Sequence, residues 1–258
     1  MKERRSFGAF LAIIGALLGV LGTIYLFMKW YEPSLVFEAG EPGSEILLKY
    51  IFPALSDVGI LAGVIYAVSA YGFMSGASWA FTLARIALVL ALSASWFINV
   101  PFMAAHEPPI FFPLFFSNLL LYFLFLKVVR PTSWGRTLLG LLTGMAIITC
   151  MMNGIASWNR IILAPGPLFV LAQRLNWVAM IGWGVVTMGI LLQPKGWMRI
   201  LGIGAGLMAM IVGFPIGIAT ARTLGRFSMF MLAPIISTIL LILFLMPKVW
   251  QRITASET

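Results

Sequence analysis

Charged side chains are the first thing this sequence lacks: Asp, Glu, Lys and Arg together make up 10% of its 258 residues, against about 25% in an ordinary soluble domain. With 61% of residues hydrophobic and a mean hydropathy of +1.02, no soluble core could hide the apolar surface. Cysteine and histidine are nearly missing as well, each present once, as Cys150 and His106. That scarcity excludes an intramolecular disulfide, a cysteine-held iron–sulfur cluster, a bis-histidine haem and a metal site of ordinary nitrogen and sulfur ligands. The sequence therefore implies no cofactor and no metal.

Catalytic signatures are also wanting. There is no Walker loop, no H-E-x-x-H, no nucleophile elbow and no pair of carboxylates within an apolar run. Met74–Ser78 carries two serines like the serine segment of an intramembrane protease, yet no histidine lies in an apolar run to act as its base. These absences argue against an enzyme.

What is present is a succession of long apolar runs joined by short polar connections. At about 20 residues per crossing, spans fall near 7–29, 51–73, 78–100, 109–127, 137–155, 168–192, 198–220 and 227–247. The expected fold is all-α, a polytopic transmembrane bundle of about eight spans forming a single integral membrane domain over residues 1–258. The basic start, Met1–Arg5, followed by an apolar run over 7–28, resembles a secretory signal. The run exceeds the length of a signal's apolar region, so it reads as a retained first span.

The formal net charge is +9 and the pI about 10.1, but Lys and Arg stand singly or in small groups between apolar runs. Such placement is a topology signal and not a nucleic-acid surface. With a cytoplasmic N-terminus, the inner ends carry Lys2, Arg4, Arg5, Lys127, Arg130, Arg136, Lys195, Arg199, Lys248 and Arg252, the outer ends Lys29, Lys49, Arg160, Arg222 and Arg226. The excess of positive charge inside places both termini in the cytoplasm, and a prokaryotic plasma membrane is the simplest host. The first outer loop is acidic, with Glu32, Glu38, Glu41 and Glu45. Trp30, Trp79, Trp134, Trp197 and Trp250 fall near span ends, where the indole ring anchors at the headgroups.

Offsetting the chain against itself by about 118 to 121 residues turns the eight spans into two sets of four, 1–130 and 131–258. Asp57 then meets Asn176, Gly63 meets Gly182, Trp79 meets Trp197, and Lys127-Val128 meets Lys248-Val249. Pro113–Ser117 meets Pro234–Ser237 once a one-residue gap is allowed. With four spans each, such repeats would be parallel, related by an axis along the membrane normal.

An ionisable side chain within a span is unfavourable by about 2.5–3.5 kcal/mol on insertion scales and marks a functional candidate. Asp57, Arg85 and Arg174 qualify. Asp57 and Arg174 lie at matching depth from the outer side, roughly 9 Å, and are expected to pair. Arg85 lies about eight residues from the inner end and needs an internal partner: Asn118, Ser117, Asn99 or a bound anion. Asn118, Asn153 and Asn176 would otherwise make hydrogen bonds between helices. The candidate intramembrane polar site is thus Asp57, Arg85, Arg174, Asn176 and Asn118.

Loops add little. His106-Glu107-Pro108-Pro109 and Ala164-Pro165-Gly166-Pro167 read as outer turns, whereas Gly213-Phe214-Pro215-Ile216-Gly217 suggests a kinked or broken span. Glycines such as Gly15, Gly19 and Gly22, or Gly202, Gly204 and Gly206, read as helix-packing positions. Two functional classes remain: a small-molecule or ion permease, and a membrane anchor or accessory subunit of a larger complex. The partners expected are the lipid bilayer and, in the second class, another membrane protein, with no nucleic acid.

Overall fold

The computed structural model describes residues 4–37, 47–104, 107–163 and 166–254. These residues form helices joined by turns, and no strand occurs among them. Among the described residues seven helices are long and apolar enough to cross a membrane: α1 (Arg5–Val36), α2 (Leu48–Ser75), α3 (Ala80–Phe97), α4 (Phe112–Val129), α5 (Trp134–Trp158), α6 (Pro167–Leu192) and α7 (Gly196–Thr223). An eighth apolar helix, α8 (Met229–Leu245), is shorter and opens with a 3₁₀ turn at Met229–Met231. At about 1.5 Å per residue it still spans roughly 25 Å. The protein is therefore an all-α polytopic membrane protein.

The chain divides into two compact units, Met1–Thr132 and Ser133–Thr258. In the first, α1 packs on α2, α2 on α3 and α3 on α4, and the end of α4 returns to α1. There the Arg4 amide donates to the Val129 carbonyl at 3.1 Å. In the second, α5 packs on α6, α6 on α7, α7 on α8, and α8 returns to α5.

Between helices in lipid there is little hydrophobic drive, so close packing must supply the attraction. The first unit obtains it by laying small residues against rings and backbone. Gly8 lies on the Phe73 ring and Gly15 on the Tyr66 ring. At Gly19 the two backbones meet: a methyl there would stand 2.6 Å from the Gly63 Cα, and one at Gly63 would stand 2.7 Å from the Val20 nitrogen. The contact coincides with a π-helical turn over Leu18–Gly22, a local widening of the helix. The second unit uses the same device, with Gly213 and Gly202 of α7 against Pro234 and Phe244 of α8, and Gly206 of α7 against Trp183 of α6.

Helix ends are closed by the chain itself. Gly76, at φ 74°, ends α2 in the left-handed conformation, and the Ala77 amide returns to the Gly72 carbonyl at 2.8 Å. Arg136, in the first turn of α5, donates from Nε to the Ile190 carbonyl at 3.0 Å and from Nη2 to those of Leu191 and Leu192, both at 3.4 Å. It thereby caps α6. Arg199 does the same from α7 for α8, donating to the carbonyls of Phe244 and Leu245.

Four expectations are corrected. The first span does not stop at residue 29; the helix continues to Val36 because Tyr31 packs on Phe27 and Phe52 and the Ser34 hydroxyl bonds the Tyr31 carbonyl at 2.6 Å. Of the two expectations for Gly213–Gly217, a kink or a break, the break is the one overturned, since the helix continues from Gly196 to Leu224 with Pro215 inside it. Glycines on both sides of that proline let α7 lie directly on Pro234 and Met231, and this packing offsets the lost backbone bond. Trp250 is no headgroup anchor: it is 7% exposed and packs edge-on against Phe244, with ring centroids 5.2 Å apart. Arg85 lies nearer the start of its helix than eight residues, because the chain turns at Gly76 and α3 begins only at Ala80. His106, the acidic residues 38, 41 and 45, and residues 164 and 165 lie outside the described residues.

The Gly19–Gly63 contact leaves no space for a side chain, so Gly63→Val should lower the melting temperature in mild detergent by several degrees, a loss of about 1–3 kcal/mol. Gly204→Ala, with nothing within 4 Å of the added methyl, should leave it nearly unchanged. Equal melting of the two variants would show that this contact does not hold α1 to α2.

Candidate intramembrane polar site

Arg85 is 8% exposed in the second turn of α3. Its guanidinium carbon lies 4.6 Å from the centroid of the Phe81 ring, one turn earlier on the same helix. The Arg130 guanidinium, at the end of α4, approaches the same ring at 5.7 Å. Phe81 is itself buried, so its one ring is approached by a buried cation, Arg85, and an exposed one, Arg130; the desolvated contact is the stronger kind, reaching about 2 kcal/mol. The pair Phe81/Arg85 has the i, i+4 spacing that brings side chains together on a helix. That signal was open to inspection, whereas Arg130 reaches Phe81 only through the fold.

Asn99 serves another purpose than holding Arg85. Its amide nitrogen donates to the Ser95 carbonyl at 2.8 Å, and its Oδ1 accepts the Phe111 amide at 2.8 Å, tying the end of α3 to the start of α4. Asn99 and Arg85 are also separated along α3 by roughly 21 Å.

Asn118 is 4% exposed, and its Oδ1 has no donor among the described residues. It lines a small recess to which all four helices of the first unit contribute, with Thr23 from α1, Gly59 from α2 and Ser95 from α3. The recess has room for about one water molecule. Hydroxyls and a carbonyl oxygen around a space of that size suit a single small hydrogen-bonding species.

In the second unit Asn176 is 1% exposed and donates to the Ala172 carbonyl of its own helix at 2.8 Å. Its Oδ1, like the hydroxyl of Ser157, has no partner among the described residues. Asn153 makes the bond between elements expected of this residue type, donating to the Phe230 carbonyl in the opening turn of α8 at 3.0 Å.

Asp57 and Arg174 are exposed, the first on α2 in the first unit and the second on α6 in the second unit. Each is thus presented outward by a helix long and apolar enough to span the bilayer. The five residues proposed from sequence therefore fall into two kinds: Arg85, Asn118 and Asn176 lie inside their units, and Asp57 and Arg174 on the unit surfaces. Among the described residues no group of three or more His, Cys, Asp or Glu could hold a metal ion.

Comparison with protein-family models, with curated proteins and with solved structures returned no match.

The shared ring gives a specific expectation. Phe81→Leu keeps the apolar volume and removes the π face, and should lower stability by about 1–2 kcal/mol, read as detergent melting temperature. Phe81→Tyr should stay close to the parent, and the deficit of the Leu variant should shrink in an Arg85→Met background, where Arg130 alone still approaches the ring. A full Leu deficit in that background would trace the loss to packing alone.

Proposed function

We propose that this multi-pass protein acts as a membrane-embedded anchor or accessory subunit of a larger complex, binding its partner through charged side chains set within its spans. The observation that carries the reading is the outward presentation of Asp57 and Arg174. A charge held against acyl chains at that depth is unfavourable by about 2.5–3.5 kcal/mol, and a complementary polar surface on another protein relieves it. Packing within the units adds support. Glycines in contact with rings and backbone fill the interiors, and the recess at Asn118 admits about one water molecule.

A second reading, a small-molecule or ion permease, is favoured by a different observation. Asn118 and Asn176 each bury a carbonyl oxygen without a donor among the described residues, and such oxygens suit the binding of a small cation or hydrogen-bond donor.

Purification from native membranes in mild detergent, followed by mass spectrometry, separates the two. A stoichiometric protein partner is expected, and Asp57→Asn or Arg174→Gln should reduce its recovery at least tenfold while leaving the chain folded. A lone chain or homo-oligomer that catalyses solute flux in proteoliposomes, with flux lost in Asn118→Leu, would overturn the subunit reading in favour of the permease.

Orientation and repeat structure belong to the same proposal: both termini in the cytoplasm of a prokaryotic cell, and two units inserted in the same sense as parallel repeats. The matching order of helix neighbours in the two units supports the repeat. So does Arg5, whose guanidinium stands beside Gly76 at the end of α2 much as Arg136 stands at the end of α6. Single cysteines at the exposed positions Pro108 and Phe227 should react with an impermeant maleimide on intact cells. Cysteines at the exposed positions Ser78 and Gln193 should react only after permeabilisation, with the buried Cys150 contributing little background. Opposite labelling of the two units would remove the parallel repeat.

A further inference from the structure

The second unit carries an unusual charge balance. Between residues 133 and 256 the sequence contains no Asp or Glu, while Arg136, Arg160, Arg174, Lys195, Arg199, Arg222, Arg226, Lys248 and Arg252 all lie there. Arg136 and Arg199 are used on helix ends, as described above. Arg222 and Arg226 are exposed, and no carboxylate of residues 133–256 exists to neutralise them.

These two arginines flank the turn that ends α7. The helix stops at Leu224, Gly225 takes the left-handed conformation at φ 63°, and the chain passes through Arg226 and Phe227 into the 3₁₀ turn that opens α8. A shallow, open groove lies there, lined by Ile218, Ala221, Arg222, Arg226, Phe227 and Met231. Its composition is divided in kind, two guanidinium groups against aliphatic, aromatic and thioether surface. Phe227 is 59% exposed beside it.

We propose that this groove binds an anionic phospholipid, with the headgroup phosphate held by Arg222 and Arg226 and an acyl chain lying on Ile218 and Met231. Guanidinium is the side chain best matched to phosphate oxygens, through paired N–H donors. Two like charges flanking one turn repel unless an anion lies between them. The apolar lining selects a lipid over a soluble anion, because a free phosphate would leave that surface unused. The groove lies at the end of a membrane-crossing helix, at the level where headgroups sit.

The test uses the full chain in a neutral detergent, titrated with phosphatidylglycerol or phosphatidylcholine and read by native mass spectrometry and by melting temperature. The parent should retain phosphatidylglycerol at least tenfold better than phosphatidylcholine, with a preference that declines as salt is raised. Arg222→Gln/Arg226→Gln should lose that preference about tenfold, while Arg160→Gln, an exposed arginine at the end of another helix, should keep it. Should the double variant melt below the parent without lipid, Arg226→Gln alone, beyond the helix end, serves instead. Equal retention of the two lipids, or undiminished phosphatidylglycerol binding in the variants, would overturn the proposal. So would inorganic phosphate that matches the lipid's stabilisation and displaces it, which would make the groove a soluble-anion site.

Discussion

Within the hydrocarbon layer there is no water to receive a backbone carbonyl, and every helix end must be satisfied by the chain or reach the headgroups. Much of this structure follows from that constraint. It is why an arginine in the first turn of α5 reaches across to three carbonyls at the end of α6, and why another in α7 does so for α8. It is also why Asn99 spends both ends of its amide on backbone, joining α3 to the start of α4. Serines and threonines follow the same rule inside the helices, with Ser56, Ser95, Thr143, Thr187 and Thr238 each bonding a carbonyl one turn earlier. Polar residues in these spans largely serve the backbone before they serve anything else.

Once backbone polarity is met, shape decides which helices touch. The first unit places glycine opposite Phe73, Tyr66 and glycine, so α1 and α2 approach to backbone contact. At its other end Phe52 is enclosed by Phe27, Tyr31, Phe102 and Phe111, all meeting it at steep angles and 5.2 to 6.1 Å between centroids. Edge-to-face rings of this kind add attraction beyond burial. The second unit relies more on Trp183, buried against Phe244 and facing Gly206. Each unit thus joins small residues at one level to aromatic rings at another.

Legibility in the sequence tracked how local each physical cause was. The apolar runs identified the spans because bilayer thickness sets a length and composition sets the solvent. The continuation of α1 past Lys29 was hidden, since it depends on Phe52 from the next helix. Pro215 looked disruptive because its cost is local, whereas the compensating contacts with Pro234 and Met231 come from α8. Trp250 reads as an interface anchor from its place after a span, and only the folded chain turns its ring onto Phe244. For the polar candidates, position along each helix was readable, but helices apolar on all sides carry no moment to say which face a given residue occupies. The exposure of Asp57 and the burial of Asn176 therefore had to come from the structure.

The arginine caps also bear on how the protein is made. Arg136 precedes in synthesis the carbonyls it will hold by the length of two helices, and Arg199 likewise. Neither clasp can close until the second helix of its hairpin has been threaded and its end has come back to the face where the first began. A charge that resists translocation during insertion is afterwards consumed in locking the finished hairpin, so withdrawing α6 or α8 would require breaking those bonds and taking carbonyls without donors into the bilayer. The order of synthesis is in this way written into the folded state as a ratchet, with each hairpin held fast from the moment its second helix arrives.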